Sequence, residues 1–310
     1  MIGRTWFAVG LTFFVLRLSL SQAADTKAPE AKKNPADAKA AEPLKFIRVV
    51  RDSHDRPMAL ETAVGHYVST TPGKSFSVDL IGCIHVADKK YYDVLNDRFK
   101  RYGAVLFELV MPEGASLEGL GQRESNHPIA RVQQSLPKIL DLAFQLKDID
   151  YTAKNFVHAD LSPDEMAQAI KSRGDSGGSV FIKVFFDLLK ASSRQAEARE
   201  KRGGDFSEFQ LLAALFDSNR PLALKRLMAD QMELVESGTG LGPTLDTILV
   251  QDRNGAAMKV LADQIKRGTA KIAVFYGAAH MPDFDRRLTQ ELKLKLQSMT
   301  WDRAWDMTGK

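Results

Sequence analysis

The chain has 310 residues, 44% of them hydrophobic, enough for the core of one large domain or two small ones. A charged fraction of 26% is ordinary for a globular protein and excludes a fully disordered, collagen-like or polytopic membrane chain. Of the net charge of +4, the first 45 residues carry +3, so the body is nearly neutral and nucleic-acid binding has no electrostatic support.

Arg4 precedes an apolar run from Trp6 to Val15, and Ser21-Gln22-Ala23 supplies small residues suited to a cleavage site. Residues 1–23 therefore read as a secretory signal peptide. The run is shorter than the ~20 residues of a membrane span, and Arg17 interrupts it. The other reading is an uncleaved anchor that associates the protein with a membrane surface. Export implies a periplasmic or secreted protein in an oxidising compartment. The single cysteine, Cys83, excludes an internal disulfide framework. It lies within an apolar run and reads as buried. Residues 24–45 are rich in Ala, Lys and Pro with scarcely a large apolar side chain, and read as a disordered linker. The folded body is then 46–310.

Strands are predicted at Phe46–Val50, Ala59–Ser69 and Phe76–Ile81, where β-branched residues cluster. Asp88–Arg101 has helical spacing, with Tyr92, Leu95 and Phe99 on one face. Ala104–Leu109 reads as a buried strand, so strand, helix and strand form a βαβ unit with parallel pairing. The middle, from about 125 to 268, reads as helices. Ser162-Pro163-Asp164-Glu165 is a capping box. Further helices are expected at Val180–Glu200, Glu208–Phe216, Pro221–Val235 and Leu245–Arg267. Lys271–Tyr276 is again a short apolar strand, a helix follows from Asp283, and Met299–Met307 returns as an edge strand. The expected architecture is α/β, with a mainly parallel sheet core and a long helical insert at about 125–245.

One arrangement occurs twice. Asp79–Asp88 and Val274–Asp283 each run from an apolar strand into G-x-x-H-x-x-D and then a helix. Two copies, each directly after a strand, suggest two related strand–GxxH–helix halves. In a parallel sheet, ligands bind beyond the carboxyl ends of the strands. Gly82 and Gly277 allow a tight turn and close approach, and His85 and His280 project from that rim. Glu108 ends the strand between and would be costly if buried without a partner. His85, Glu108 and His280 then form a set suited to a divalent metal or to acid–base work on water. Asp88 and Asp283 read as helix N-caps. Arg253 and Asn254 interrupt the last long helix. Arg253 is either part of a solvated face or a guanidinium aimed at the cleft to hold a carboxylate or oxyanion. His54, His66, His127 and His158 read as loop or surface residues. HExxH, GxSxG, Walker A and dinucleotide fingerprints are lacking.

In these blocks the chain resembles the TraB/GumN/Tiki family, within the larger group that includes erythromycin esterase and ChaN. The resemblance rests on Gly82–His85, Leu106–Glu108, Arg253–Met258 and Gly277–Pro282, in that order. It implies an α/β fold of two related halves around a cleft holding both histidines. His85 and His280 match the motif histidines, Glu108 the acidic residue and Arg253 the motif arginine, with Gly82, Gly277 and Asn254 supporting. Cys83 stands where the family has Thr or Ser, and a Pro after the first His is missing. The implied activity is that of a divalent-metal-dependent hydrolase, a peptidase, using Mn²⁺, Co²⁺ or Zn²⁺ on a peptide or small-molecule substrate. Glu108 and Arg253 would be catalytic, and His85, His280 and Glu108 the metal ligands. Two alternatives stand beside it: a metal-independent esterase of the erythromycin-esterase type, and a haem- or iron-binding exported protein resembling ChaN with Tyr276 as a ligand. A fourth reading is a binding scaffold without chemistry.

Overall fold

The computed structural model describes residues 44–73, 75–112, 142–172, 213–214, 216–234 and 250–309. The signal peptide, all but the end of the linker, the predicted helix at 180–200, most of that at 208–216 and His127 lie outside them. No described helix is long and apolar enough to cross a membrane.

The chain opens with β1 (Ile47–Arg51), β2 (Pro57–Ser69), β3 (Ser77–Cys83), the two-residue β4 (Val86–Ala87), α1 (Lys89–Phe99) and β5 (Ala104–Phe107). After residue 142 come β6 (Ala143–Phe144), α2 (Gln145–Asp148), β7 (Phe156–His158) and α3 (Pro163–Ser172). The remaining elements are α4 (Arg220–Leu234), α5 (Asp252–Lys266), β8 (Lys271–Gly277), a 3-10 turn at Ala278–His280, α6 (Met281–Gln290) and β9 (Leu294–Asp306).

The fold is α/β, built on one mixed seven-stranded sheet. Strands β3, β8, β5 and β7 run parallel in that spatial order. Strands β1 and β3 pair antiparallel with successive halves of β2, and β9 pairs antiparallel with β2 over Ala59–Ser69. The latest parallel strand in sequence, β8, therefore sits at the centre, between β3 and β5. Strands β3, β5 and β8 are almost continuously buried, because a parallel sheet is covered on both faces. Side chains alternate between those faces. Ile81, Phe107 and Phe275 pack with Tyr91, Tyr92, Leu95 and Phe99 of α1 in one core cluster. Leu80, Leu106 and Val274 pack with Leu261 of α5 and Phe284 and Leu288 of α6 in the other.

The capping box is formed: the Ser162 N–H donates to Glu165 Oε2 at 2.8 Å, and the Glu165 N–H to Ser162 Oγ at 3.2 Å. The predicted helical middle needs correction. It contains β7, a three-residue strand of the main sheet, and β6, which pairs with the earlier β4, both too short for a periodicity to show. Strand β9 starts at Leu294, five residues before the predicted start at Met299, because β2 is long enough to pair with it there. Helix α6 starts at Met281, not Asp283. Helix α5 runs unbroken from Asp252 through Gly255, so Arg253 and Asn254 lie in its first turn and interrupt nothing.

Neither aspartate caps through its side chain. Asp88 holds the N-cap position of α1 without a side-chain cap bond. Its carboxylate instead takes Lys225 Nζ of α4 at 2.7 Å and the Asp306 N–H of β9 at 2.6 Å. Asp283 lies inside the first turn of α6 and accepts hydrogen bonds from Asn254, Arg286 and Arg287.

Candidate functional site

The carboxyl ends of the parallel strands lie on one rim, and β3, β5, β7 and β8 each deliver a polar group there. Glu108 directly follows β5, His85 lies two residues past β3, and Asp160 lies two past β7. His280 ends the 3-10 turn after β8. Arg253 and Asn254 come to the same place from the first turn of α5.

Glu108 is the hub. Its Oε2 accepts the Gly277 N–H at 2.7 Å. Its Oε1 lies 2.8 Å from Arg253 Nη2 and 3.4 Å from His280 Nε2. Arg253 also grips Asp160, with Nη2 at 2.6 Å from Oδ2 and Nε at 3.0 Å from Oδ1. That two-point fork is the strong geometry for an arginine–carboxylate pair. Burial works against a charge on Glu108, yet Arg253, then His280 and His85, hold its carboxyl well below the usual range. Burial likewise disfavours the charged form of Arg253, and Glu108 and Asp160 overcome it and raise its pKa. Glu108 is therefore ionised. Two carboxylates on one guanidinium leave an excess negative charge in a nearly dry place.

Each imidazole is held through Nδ1 by an amide. His280 Nδ1 lies 2.7 Å from Asn254 Oδ1. Asn254 Nδ2 donates to the His280 carbonyl at 3.1 Å and to Asp283 Oδ2 at 3.0 Å. The amide nitrogen is thus committed as a donor, and Oδ1 must accept. The hydrogen-bond network places a proton on Nδ1 of His280, and Nε2 faces Glu108. His85 Nδ1 lies 2.8 Å from Gln145 Oε1, whose own Nε2 donates to Tyr151 Oη at 2.8 Å. A β-carbon placed on Gly277 would stand 3.3 Å from Glu108 Oε2, 3.8 Å from His280 Cδ2 and 4.0 Å from His85 Nε2. All three predicted groups thus border Gly277.

The two glycines serve close approach rather than an unusual backbone. Gly277 has φ −52°, open to any residue. A β-carbon on Gly82 would press on Met281 Cγ at 3.3 Å and on Ala278. At Gly277 the neighbour is a carboxylate fixed by Arg253. Gly277→Ala is therefore expected to destabilise by about 1–3 kcal/mol through overpacking, read as a lowered urea midpoint.

Sequence reasoning named His85, Glu108, Arg253, Asn254 and His280, and the structure brings all five together. It missed Asp160 and Gln145. Asp160 follows Phe156-Val157-His158, an apolar stretch too short to read as a strand. Gln145 has no local signal. His66 is no loop residue: it lies on β2 and pairs through Nδ1 with the Asp79 carboxylate of β3, which also accepts the Tyr102 hydroxyl at 2.5 Å. His158 ends β7 and donates through Nε2 to the Leu109 carbonyl at 2.7 Å. Cys83 is buried, as expected. Burial, then the Glu108 charge, pushes its thiol pKa up. Tyr276 is buried, with its hydroxyl donated to the Ala159 carbonyl. Burial first, then Asp160 and Glu108, push the phenol pKa up.

Among the described residues, no group of three or more His, Cys, Asp or Glu is arranged so that it could hold a metal ion. The donor set at the rim is two imidazole Nε2 atoms beside one ionised carboxylate, and by its chemistry it suits a divalent transition metal. No protein-family model, curated protein or solved structure matches the chain.

Proposed function

We propose that the protein is a metal-dependent hydrolase that acts on peptides, and that its body combines two related strand–GxxH–helix halves. One observation carries the metal: both imidazoles have Nδ1 engaged by an amide, and His280 turns its Nε2 on the ionised Glu108 at 3.4 Å. Two facing acceptors require a positive species between them. That species is a cation or a proton on Nε2. The excess negative charge of the Glu108–Arg253–Asp160 group favours either, and the four sequence blocks are what point to the cation. The halves are supported by the parallel register of β3 and β8, which sets Cys83 beside Gly277 and the two GxxH turns next to each other.

His85, His280 and Glu108 would hold Mn²⁺, Co²⁺ or Zn²⁺. When bound, such an ion polarises a carbonyl and makes its water a nucleophile near neutral pH. The chain's part is positional. Asp160 orients Arg253, and Arg253 keeps Glu108 anionic. This replaces the oxyanion role expected for Arg253, whose Nη2 and Nε are engaged by carboxylates. Asn254 and Gln145 orient the rings. Peptides as the substrate class, and membership of the TraB/GumN/Tiki family, rest on the four sequence blocks. Export to the periplasm or beyond rests on residues 1–23.

A second reading is favoured by a specific feature. Both Glu108 oxygens are already engaged, Oε2 by the Gly277 N–H and Oε1 by the ion pair with Arg253. In a metal-free esterase, His280, oriented through Nδ1 by Asn254, would take the proton of an attacking water on Nε2, and the Glu108 charge would stabilise the imidazolium that forms. Assays of peptide hydrolysis separate the two. The metal reading expects activity abolished by EDTA and restored by one of the three ions. EDTA-resistant hydrolysis that still depends on His280 and Glu108 would overturn it in favour of the second.

A further inference from the structure

We propose that Gln145 is the positioning residue of His85, fixing both its place on the rim and the nitrogen that carries its proton. The proposal rests on the reading of His85 as a ligand through Nε2. Gln145 grips His85 at both ends. Its backbone N–H donates to the His85 carbonyl at 3.0 Å, and its side-chain Oε1 meets His85 Nδ1 at 2.8 Å. The residues just before it form β6, which pairs with β4 through Val86↔Phe144 and Ala87↔Ala143. The turn after β3 is thus strapped down as extended chain, whereas the turn after β8 coils directly into a helix.

The amide is itself held. Gln145 is 4% exposed. Its Nε2 donates to Tyr151 Oη at 2.8 Å, and the Cys83 thiol donates to its Oε1 at 3.4 Å. With the nitrogen end spent on Tyr151, the oxygen end turns to His85 and receives the Nδ1 proton. The bond made by one ring nitrogen decides which lone pair the other presents. Gln145 therefore leaves Nε2 of His85 as the acceptor toward Gly277 and Glu108.

The test is the ring-nitrogen pattern of His85 in the ¹⁵N-labelled, metal-free full-length chain, recorded through long-range ¹⁵N–¹H couplings and assigned with His85→Ala. The wild type should show a protonated Nδ1 and a bare Nε2. Gln145→Met keeps the bulk and removes the acceptor, and should move the proton to Nε2 or give a mixture. Gln145→Glu keeps an acceptor and should retain Nδ1–H. Metal affinity of Gln145→Met should fall about 10–100-fold, the usual effect of losing a partner behind a ligand. An unchanged pattern in Gln145→Met overturns the proposal, whatever the metal does. A proton on Nε2 in the wild type also overturns it and needs no variant to fold. If the pattern shifts as expected while the wild type binds none of the three ions, Gln145 keeps its role and the metal reading falls alone.

Discussion

Replacing Arg253 by methionine is expected to lower the unfolding free energy by about 3–5 kcal/mol, the cost of leaving a buried ion pair with one partner missing. Here two carboxylates are stranded. Glu108 and Asp160 both lean on the guanidinium, within 2.8 and 2.6 Å of the same Nη2, and Asp160 has a side chain with no solvent exposure. Methionine fills most of the space, so the loss is electrostatic. Adding Glu108→Gln should recover part of it, because one of the stranded charges is then gone. A double-mutant cycle read by urea unfolding gives the coupling. Additive costs would show that Arg253 serves Asp160 alone. The pH dependence has a definite sign. The folded-state pKa of Glu108 lies below its unfolded value. Its ionised form therefore stabilises the fold fully above the unfolded pKa, and the contribution is lost as pH falls through the lower folded value. Acid unfolding of the wild type should carry that step, and Arg253→Met should shrink it.

Glu108→Gln alone should separate chemistry from stability. The amide keeps the shape and can still accept the Gly277 N–H. It cannot supply the charge that faces His280 Nε2. Hydrolysis is expected to fall by about 10²–10⁴-fold, the range for losing a group that acts on the proton or its water. The urea midpoint should move far less than in Arg253→Met. Near-wild-type kcat in Glu108→Gln would remove Glu108 from the chemistry and leave it as structural support for the β8 turn.

The main sheet was largely legible because β5 and β8 are short apolar runs and β3 rises through Leu80 and Ile81, each ended by polar or small residues. The rim residues were legible for a related reason: Glu108, His85 and His280 stand where those runs stop. Contacts made across long sequence separations were not legible. Gln145 reaches His85 over 60 positions, and Asp160 reaches Arg253 over 93. Nothing in the composition around Gln145 or Asp160 marks them. Strands of two or three residues, as in β4, β6 and β7, carry no alternation to detect and exist only through their partners. Asp88 and Asp283 misled because an acid before or at a helix start usually caps it; here Lys225 and the Asp306 N–H take Asp88, and Asp283 lies inside the first turn, bound by Asn254 and by Arg286 and Arg287 of its own helix. The recurrence of G-x-x-H after β3 and β8 was visible in the sequence, but the different continuations of the two turns were not. Those depend on β6 arriving to pair with β4.

The account's central claim is that His85 and His280 turn their Nε2 atoms, with Glu108, on one divalent ion. The most direct test is thermal unfolding of the chelated full-length protein titrated with Mn²⁺, Co²⁺ and Zn²⁺, beside the His85→Ala/His280→Ala double variant. An ion that binds only the folded state should add about 2.7 kcal/mol at 100 times its Kd. The account predicts that rise for at least one ion in the wild type and its loss in the double variant. No rise with any of the three ions, or an equal rise in both proteins, would contradict it.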